Sequence, residues 1–186
     1  MAKSAETKTK KAEPKAAPKV KAASPVPAGY HRITASLTCR DAVKAIEFYK
    51  KAFGAEEVMC MRGPDGKVMH AEMKMGDSLF MMNDEAPAWG CQSPQALGGS
   101  PVGFYLYVED ADAAWKRAID AGGKEEMPLT DMFWGDRCGK LKDPFGYSWN
   151  LATRVEDLTP VEIEKRQAKF FADMAKGGEC CPGDKK

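Results

Sequence analysis

The chain has 186 residues, 44% of them hydrophobic and 30% charged, which is enough to bury a core, and its net charge is only +1. No run approaches the roughly 18 apolar residues of a membrane span. No G-x-G-x-x-G, P-loop, G-x-S-x-G or zinc-spaced pair occurs, so nucleotide binding and serine hydrolysis have no motif behind them.

Residues 1–29 carry seven lysines against Glu6 and Glu13, a balance of +5, so the remainder of the chain is mildly acidic at −4. This Lys/Ala/Pro segment has almost nothing to bury, so the entropy of ordering it goes uncompensated and a disordered tail is expected. It lacks the apolar stretch of a secretory signal and the Arg-rich, acid-free composition of an organellar presequence. A solubilising role is expected rather than specific nucleic-acid or membrane binding. The six cysteines form no C-x-x-C pair and are read as reduced thiols of a cytoplasmic protein, the adjacent Cys180 and Cys181 included.

The first structured stretch, "RITASLT", alternates in character and leads to Asp41, a good helix N-cap. Ala42, Ile46, Tyr49 and Phe53 then recur at helical spacing, and Gly54 supplies a stop. Short β-rich runs follow: "EEVMCMR", "VMHAEMKMG" and "SLFMMND", separated by turn signals such as "GPDGK". The methionines of these runs are expected to fill the core. "APAWGCQSPQALGGSP" is a Pro/Gly-rich connection.

The same order then returns. Shifting the sequence by 69 positions lays residues 37–58 over 106–127, and eight of 22 positions coincide, among them Asp41/Asp110, Ala45/Ala114 and Gly54/Gly123. A match of that density points to duplication of one supersecondary unit. In the second copy "VGFYLYV" feeds Asp110, a stripe of Ala111, Trp115, Ala118 and Ile119 marks the helix, and Gly122–Gly123 end it. "KEEMPL", "GDRCGK", "KLKD" and "YSWNLAT" complete the copy. The expectation is therefore two βαβββ modules, 33–85 and 101–153, within a domain spanning 30–155.

A further helix is expected over 156–178. Thr159 caps it, Pro160 opens the first turn, Glu162 completes a capping box and Gly177 terminates it, with Ile163, Phe170 and Met174 on one stripe. Residues 179–186 are read as a second disordered tail.

Period-two alternation sorts the strands into two faces. Phe104, Leu106 and Val108 oppose Tyr105 and Tyr107; Trp149 and Leu151 oppose Ser148 and Asn150. The apolar set should meet the helices, and the other set should line a concavity where ligands bind. His70 and Glu72 share a face at i, i+2 and form a candidate acid/base pair, against the alternative of a structural hydrogen bond. In "FWGDRCG", Trp134 offers a stacking plane, Asp136 a carboxylate and Arg137 a fork of donors. Against this stands a turn, marked by Gly135 and Gly139, in which Asp136 and Arg137 merely pair. "DPFG" reads as a turn with Pro144 and Gly146 in their usual roles and Phe145 plugging the end of the sheet.

With these motifs in view, the chain resembles the vicinal oxygen chelate superfamily, the glyoxalase/bleomycin-resistance/dioxygenase group, over about residues 30–155. The resemblance rests on "LTCRDAVKAIEFYKKAFGAEEV", "MHAEMKMGDSLFMMNDE", "LYVEDADAAWKRAIDAGG" and "FWGDRCGKLKDPFGYSWNLAT", and is nearest to glyoxalase-like members with "FWGDR" ahead of "DPFG". It implies an α+β fold in which paired βαβββ modules form a curved, cup-shaped mixed sheet, here with an added C-terminal helix, usually completed as a homodimer. Superfamily enzymes hold a divalent metal on His and Glu ligands at four equivalent strand positions. Carried onto this chain, those positions are Thr34, Phe80 or Met81, Gly103 and Asn150, none of them a good ligand for such an ion.

The expected function is accordingly metal-independent capture of a small, partly aromatic or amphipathic molecule, with no cofactor. Thr34, Met81, Tyr105, Tyr107, Trp134, Asp136, Arg137 and Asn150 are the candidate ligand-binding residues. The alternative is a glyoxalase-type lyase or isomerase with His70 and Glu72 as its catalytic pair; a metal-dependent lyase or dioxygenase ranks below both.

Overall fold

A computed structural model describes residues 24–175. The expectations placed on residues 1–23, on Gly177 and on Cys180 and Cys181 lie outside that range. The elements in order are β1 (Ser36–Cys39), α1 (Ala42–Phe53), β2 (Glu56–Arg62), β3 (Val68–Met75), β4 (Ser78–Asp84), a 3-10 turn at Pro87–Trp89, α2 (Pro94–Leu97), β5 (Gly103–Tyr107), α3 (Ala111–Asp120), β6 (Lys124–Asp131), β7 (Asp136–Lys142), β8 (Ser148–Arg154) and α4 (Pro160–Ala175). Two four-stranded mixed sheets result, ordered β1-β4-β3-β2 and β5-β8-β7-β6. In each, the first strand lies parallel to the last and the remaining neighbours are antiparallel. The α+β architecture of paired βαβββ modules is thus observed.

The duplicated residues perform duplicated tasks. Asp41 accepts from Lys44 N at 3.0 Å and Asp110 from Ala113 N at 2.9 Å, so each module caps its helix with the same carboxylate. At the other end of α1, Gly54 adopts φ 68°, and the amides of Gly54 and Ala55 close onto Lys50 O and Tyr49 O. The buried Asp84, at the end of β4, accepts from Ala42 N and Val68 N at 2.7 Å each. It thereby ties the start of α1 to the start of β3, and its charge sits at a helix N-terminus, where the dipole favours it.

Both sheets turn their apolar faces toward one layer of helices. Tyr49, fully buried on α1, packs against Phe80 of β4 and Trp149 of β8, with ring centroids 5.9 and 5.4 Å away. Phe53 and Phe104 also lie against Trp149, and α1 contacts α3. Most of the strand methionines divide by parity: Met73, Met75 and Met82 enter this core, while Met59, Met61 and Met81 share the opposite face with His70 and Glu72, and Met69, near the start of β3, is exposed despite sharing the parity of Met73. Core filling therefore accounts for only part of the methionine run.

Several local expectations are revised. The first strand begins at Ser36 rather than Arg32, because Thr34 Oγ1 donates to His31 O and Ile33 is 91% exposed, with no sheet partner to draw it in. Gly135 does turn, with φ 96°, but Gly139 lies inside β7, where an added Cβ would come within 2.8 Å of Trp115 and 3.0 Å of the Leu129 backbone. Its glycine serves close packing. The capping box of α4 forms as expected, with Thr159 N donating to Glu162 Oε2 at 2.8 Å and Glu162 N to Thr159 Oγ1 at 3.3 Å. Phe170 of α4 meets Phe133 at 5.2 Å, and Arg166 clasps Glu156 through two bonds of 2.8 and 2.7 Å.

Candidate functional site

The central feature of the second sheet, on the face turned from the helices, is Asp136. It is the first residue of β7, and alternation places Asp136, Cys138 and Lys140 on one side and Arg137, Gly139 and Leu141 on the other. Across β8, Cys138 opposes Ala152 and Lys140 opposes Asn150; across β5, Tyr107 opposes Ala152 and Tyr105 opposes Asn150. Three strands, β5, β8 and β7, therefore bring Tyr105, Tyr107, Asp136, Cys138 and Asn150 together.

Asp136 is only 5% exposed, yet its Oδ2 accepts from Tyr105 Oη at 3.1 Å, Tyr107 Oη at 3.0 Å and Trp134 Nε1 at 3.1 Å. Hydrogen bonding of this kind is what allows a carboxylate to be withdrawn from water. Burial, then hydrogen bonding to Cys138 and the Asp136 charge, raises the Tyr105 phenol well above its ordinary value. Tyr107 is raised likewise, first by burial and then by its bond to Asp136. Both remain neutral donors near neutral pH. Asn150 donates to Phe104 O at 3.3 Å.

Arg137 points the other way. Its guanidinium is held by Asp112 of α3 through two 2.7 Å bonds and by Asp131 at 3.1 Å. These carboxylates raise its already high pKa further, with burial opposing. Asp136 and Arg137 do not pair, since a strand sends neighbours to opposite faces. Of the "FWGDR" side chains, Trp134 and Asp136 join the tyrosines, and Arg137 fastens a helix to the back of the sheet.

The first sheet presents a different surface. His70 Nε2 lies 3.4 Å from Glu72 Oε1, a long contact, with Met61 opposite His70 and both Met59 and Met81 opposite Glu72. The hydroxyl of Tyr30 is screened from solvent without a hydrogen bond of good geometry. Burial, followed by the neighbouring Glu72, pushes its pKa up to about 12. Thr34 precedes β1, and its hydroxyl is engaged with His31 O. The structure records no hydrogen bond between the His70/Glu72 group and the Asp136 group.

Cavities border these surfaces. One of about 590 Å³ is lined by Phe53, Asp77, Tyr105, Tyr107, Glu109 and Arg117, among others. A second, of about 310 Å³, lies between the neighbouring edges of β1 and β5, walled by Ile33, Ala35, Leu79, Phe104 and Tyr105. Both are of the size that takes a small molecule. Tyr105 belongs to both; Met81, Trp134 and Asn150 line neither.

The residues at the superfamily's ligand positions do not suit a divalent ion. Thr34 spends its hydroxyl on a carbonyl, Met81 offers a thioether, Gly103 has no side chain and Asn150 directs its amide to Phe104. Among the described residues no cluster of three or more His, Cys, Asp or Glu is placed to hold a metal.

Sequence reasoning missed Cys138, Tyr30 and above all Asp143. That buried carboxylate accepts from Tyr49 Oη at 2.7 Å and from Trp149 Nε1, Phe145 N and Tyr147 N at 2.9 Å each. It organises the "DPFG" turn and the core beneath it rather than the exposed face. A polar residue opening a turn is no signal of such a hub, because the tyrosine arrives from 94 positions away.

Two modules of this topology, each backing a mixed sheet with one helix, define a class of paired-module domains. The family model described as Glyoxalase/Bleomycin resistance protein/Dioxygenase superfamily matches residues 29–151, and the chain belongs to that superfamily. An uncharacterized protein of Mycobacterium bovis is 41% identical over 131 residues, covering 69% of this chain and 86% of the relative. The crystal structure of an Arabidopsis thaliana gene product aligns with a TM-score of 0.54 and 31% identity, over 66% of this chain and 98% of the other. TioX from a Micromonospora species aligns with a TM-score of 0.52 and 23% identity, over 69% of this chain and all (100%) of TioX, a likeness of fold.

Proposed function

We propose that this chain binds a small molecule on the face formed by Tyr105, Tyr107, Trp134, Asp136 and Asn150, and does so without a metal. The observation carrying this reading is the Asp136 carboxylate, withdrawn from water yet placed on the sheet face away from the core and surrounded by partly exposed aromatic rings. Such a group has no part in packing the helices, and a water-excluded acceptor among aromatic walls is a means of orienting a ligand. Thr34 and Met81 belong to the surroundings of the first sheet, and Arg137 supports the site from behind. We further propose a homodimer in the cytoplasm, in keeping with free thiols at Cys39, Cys60, Cys91 and Cys138 and with large apolar side chains left exposed at Val58, Met61 and Met69. Among the described residues no helix is long and apolar enough to cross a membrane.

The second reading is lyase or isomerase chemistry with His70 and Glu72 as acid and base. It draws on their shared face, and the 3.4 Å separation leaves room for tightening around a substrate.

Thermal-shift screening of a metabolite library, with metal analysis of protein purified with and without added Ni, Zn, Mn or Fe, separates these readings. The expected result is ligand-dependent stabilisation that is lost in Asp136→Asn, kept in His70→Ala, and obtained without stoichiometric metal. One tightly bound ion per chain, or turnover abolished by His70→Ala, would overturn the binding reading.

A further inference from the structure

The chemistry around Asp136 says more about the ligand than that one binds. Three neutral donors converge on one carboxylate oxygen, and among the described residues no Lys or Arg forms an ion pair with it. Arg154, its cross-strand neighbour, sends its guanidinium to Asp157 and Glu156 O instead. Lys140 and Lys142 on the same face are both bound by Glu126, at 3.1 and 2.7 Å. The Asp136 carboxyl is therefore held by neutral donors and not by an ion pair, with the Arg154 guanidinium near enough to act on Tyr107 but engaged elsewhere, and it faces away from the core.

That charge reaches the surface through the tyrosines. Tyr105 and Tyr107 are 46% and 60% exposed, with ring centroids 5.1 Å apart and planes inclined at 45°, so they form two walls rather than a stack. A phenol that donates to a carboxylate is polarised toward phenolate, which makes the face of its ring more negative and strengthens attraction to a cation. Both residues border the 590 Å³ cavity, where Asp77, Glu109 and Asp110 outnumber the single guanidinium of Arg117. Asp110 also caps α3, and Phe53 supplies an apolar wall. A cation approaching these rings gains from the ring faces, from the carboxylate behind them and from the surrounding field.

We propose that Tyr105 and Tyr107, backed by Asp136, receive an organic ammonium group, so that the ligand is an amphipathic amine, protonated or quaternary, whose apolar body lies in the adjoining cavity against Phe53. This inference rests on the binding reading and narrows it. Trp134 fixes the carboxylate by its indole N–H, and the neutrality of the tyrosines keeps the cation as the partner of Asp136 rather than of a phenolate.

The test is isothermal titration of the full chain, at millimolar concentration, with three phenolic probes: 4-(trimethylammoniomethyl)phenol, its neutral isostere 4-neopentylphenol, and the smaller anion 4-hydroxyphenylacetate. The ammonium probe is expected to bind about tenfold more tightly than the neutral one and the anion most weakly. This preference should weaken at high salt, shrink in Asp136→Asn and disappear in Tyr107→Leu, a change at an exposed position that leaves the fold intact by circular dichroism. Equal binding of the ammonium and neutral probes, or tighter binding of the anion, overturns the inference while leaving a ligand site at Asp136 standing. Absence of binding by all three overturns it as well, and a metabolite library that also gives no shift removes the underlying binding reading with it.

Discussion

The hydroxyl of Tyr147 joins the two modules at Thr38, accepting from Thr38 N at 3.0 Å and donating to Thr38 O at 2.9 Å across 109 positions of sequence. Thr38 lies in β1, whose other edge pairs with β4, so this phenol satisfies backbone groups that would otherwise stand unpaired beside the second sheet. Tyr147→Phe removes both bonds and adds nothing. The expected loss is about 1–2 kcal/mol, read as a lowered thermal midpoint with the far-UV spectrum unchanged.

Asp143 makes a larger prediction. Burial is the main force on its carboxyl and raises its pKa, against the opposing hydrogen bonds from Tyr49 and Trp149. In Asp143→Asn one carboxylate oxygen becomes an amide donor, which must face either the Tyr49 and Trp149 donors or the two backbone amides. A buried donor then meets a donor, and the loss should reach about 2–4 kcal/mol in urea unfolding, with the denaturant slope unchanged.

Gly139→Ala tests close packing on the back of the second sheet. The added methyl group would meet the Trp115 ring and the Leu129 backbone, the latter unable to move without disturbing β6. Destabilisation of about 1–3 kcal/mol is expected. Gly139→Ala combined with Trp115→Leu should recover part of it, as measured by a double-mutant cycle.

The clasp between Arg137 and Asp112 predicts a pH dependence. Hydrogen bonding to Arg137 lowers the Asp112 pKa, with burial opposing. A carboxylate depressed in the folded state contributes stability that is present above its unfolded pKa of about 3.9 and lost as the pH falls through the lower folded value. The coupling between Asp112→Asn and Arg137→Gln should therefore be favourable at neutral pH, vanish in strong acid and weaken with added salt. Coupling that persists unchanged in acid would show that Arg137 is held by packing.

Much of the architecture was legible in the sequence because its signals are local. Asp41 and Asp110 read as caps since a cap needs only its own next turn, and the 69-residue offset exposed the duplication without any contact being known. The capping box at Thr159 and Glu162 followed from four consecutive residues. Strand parity correctly put Trp149 and Leu151 toward the helices and Tyr105 and Tyr107 away from them.

Other features stayed hidden because they depend on which strand lies beside which. "GDRCG" looked like a turn because Gly135 and Gly139 punctuate it. Reading it as a strand would have separated Asp136 from Arg137 at once, but the reason to do so, Trp115 pressed against Gly139, comes from another element. Local signals were enough to define the two modules, their helix ends and the inward and outward parity of most strands, because hydrogen bonding and side-chain periodicity act over a few residues. What no local signal could supply is that both tyrosines of β5 reach the same oxygen of Asp136 that Trp134 holds, and that Tyr49 meets Asp143, because such contacts are set by sheet order and by the entropy of closing long stretches of chain.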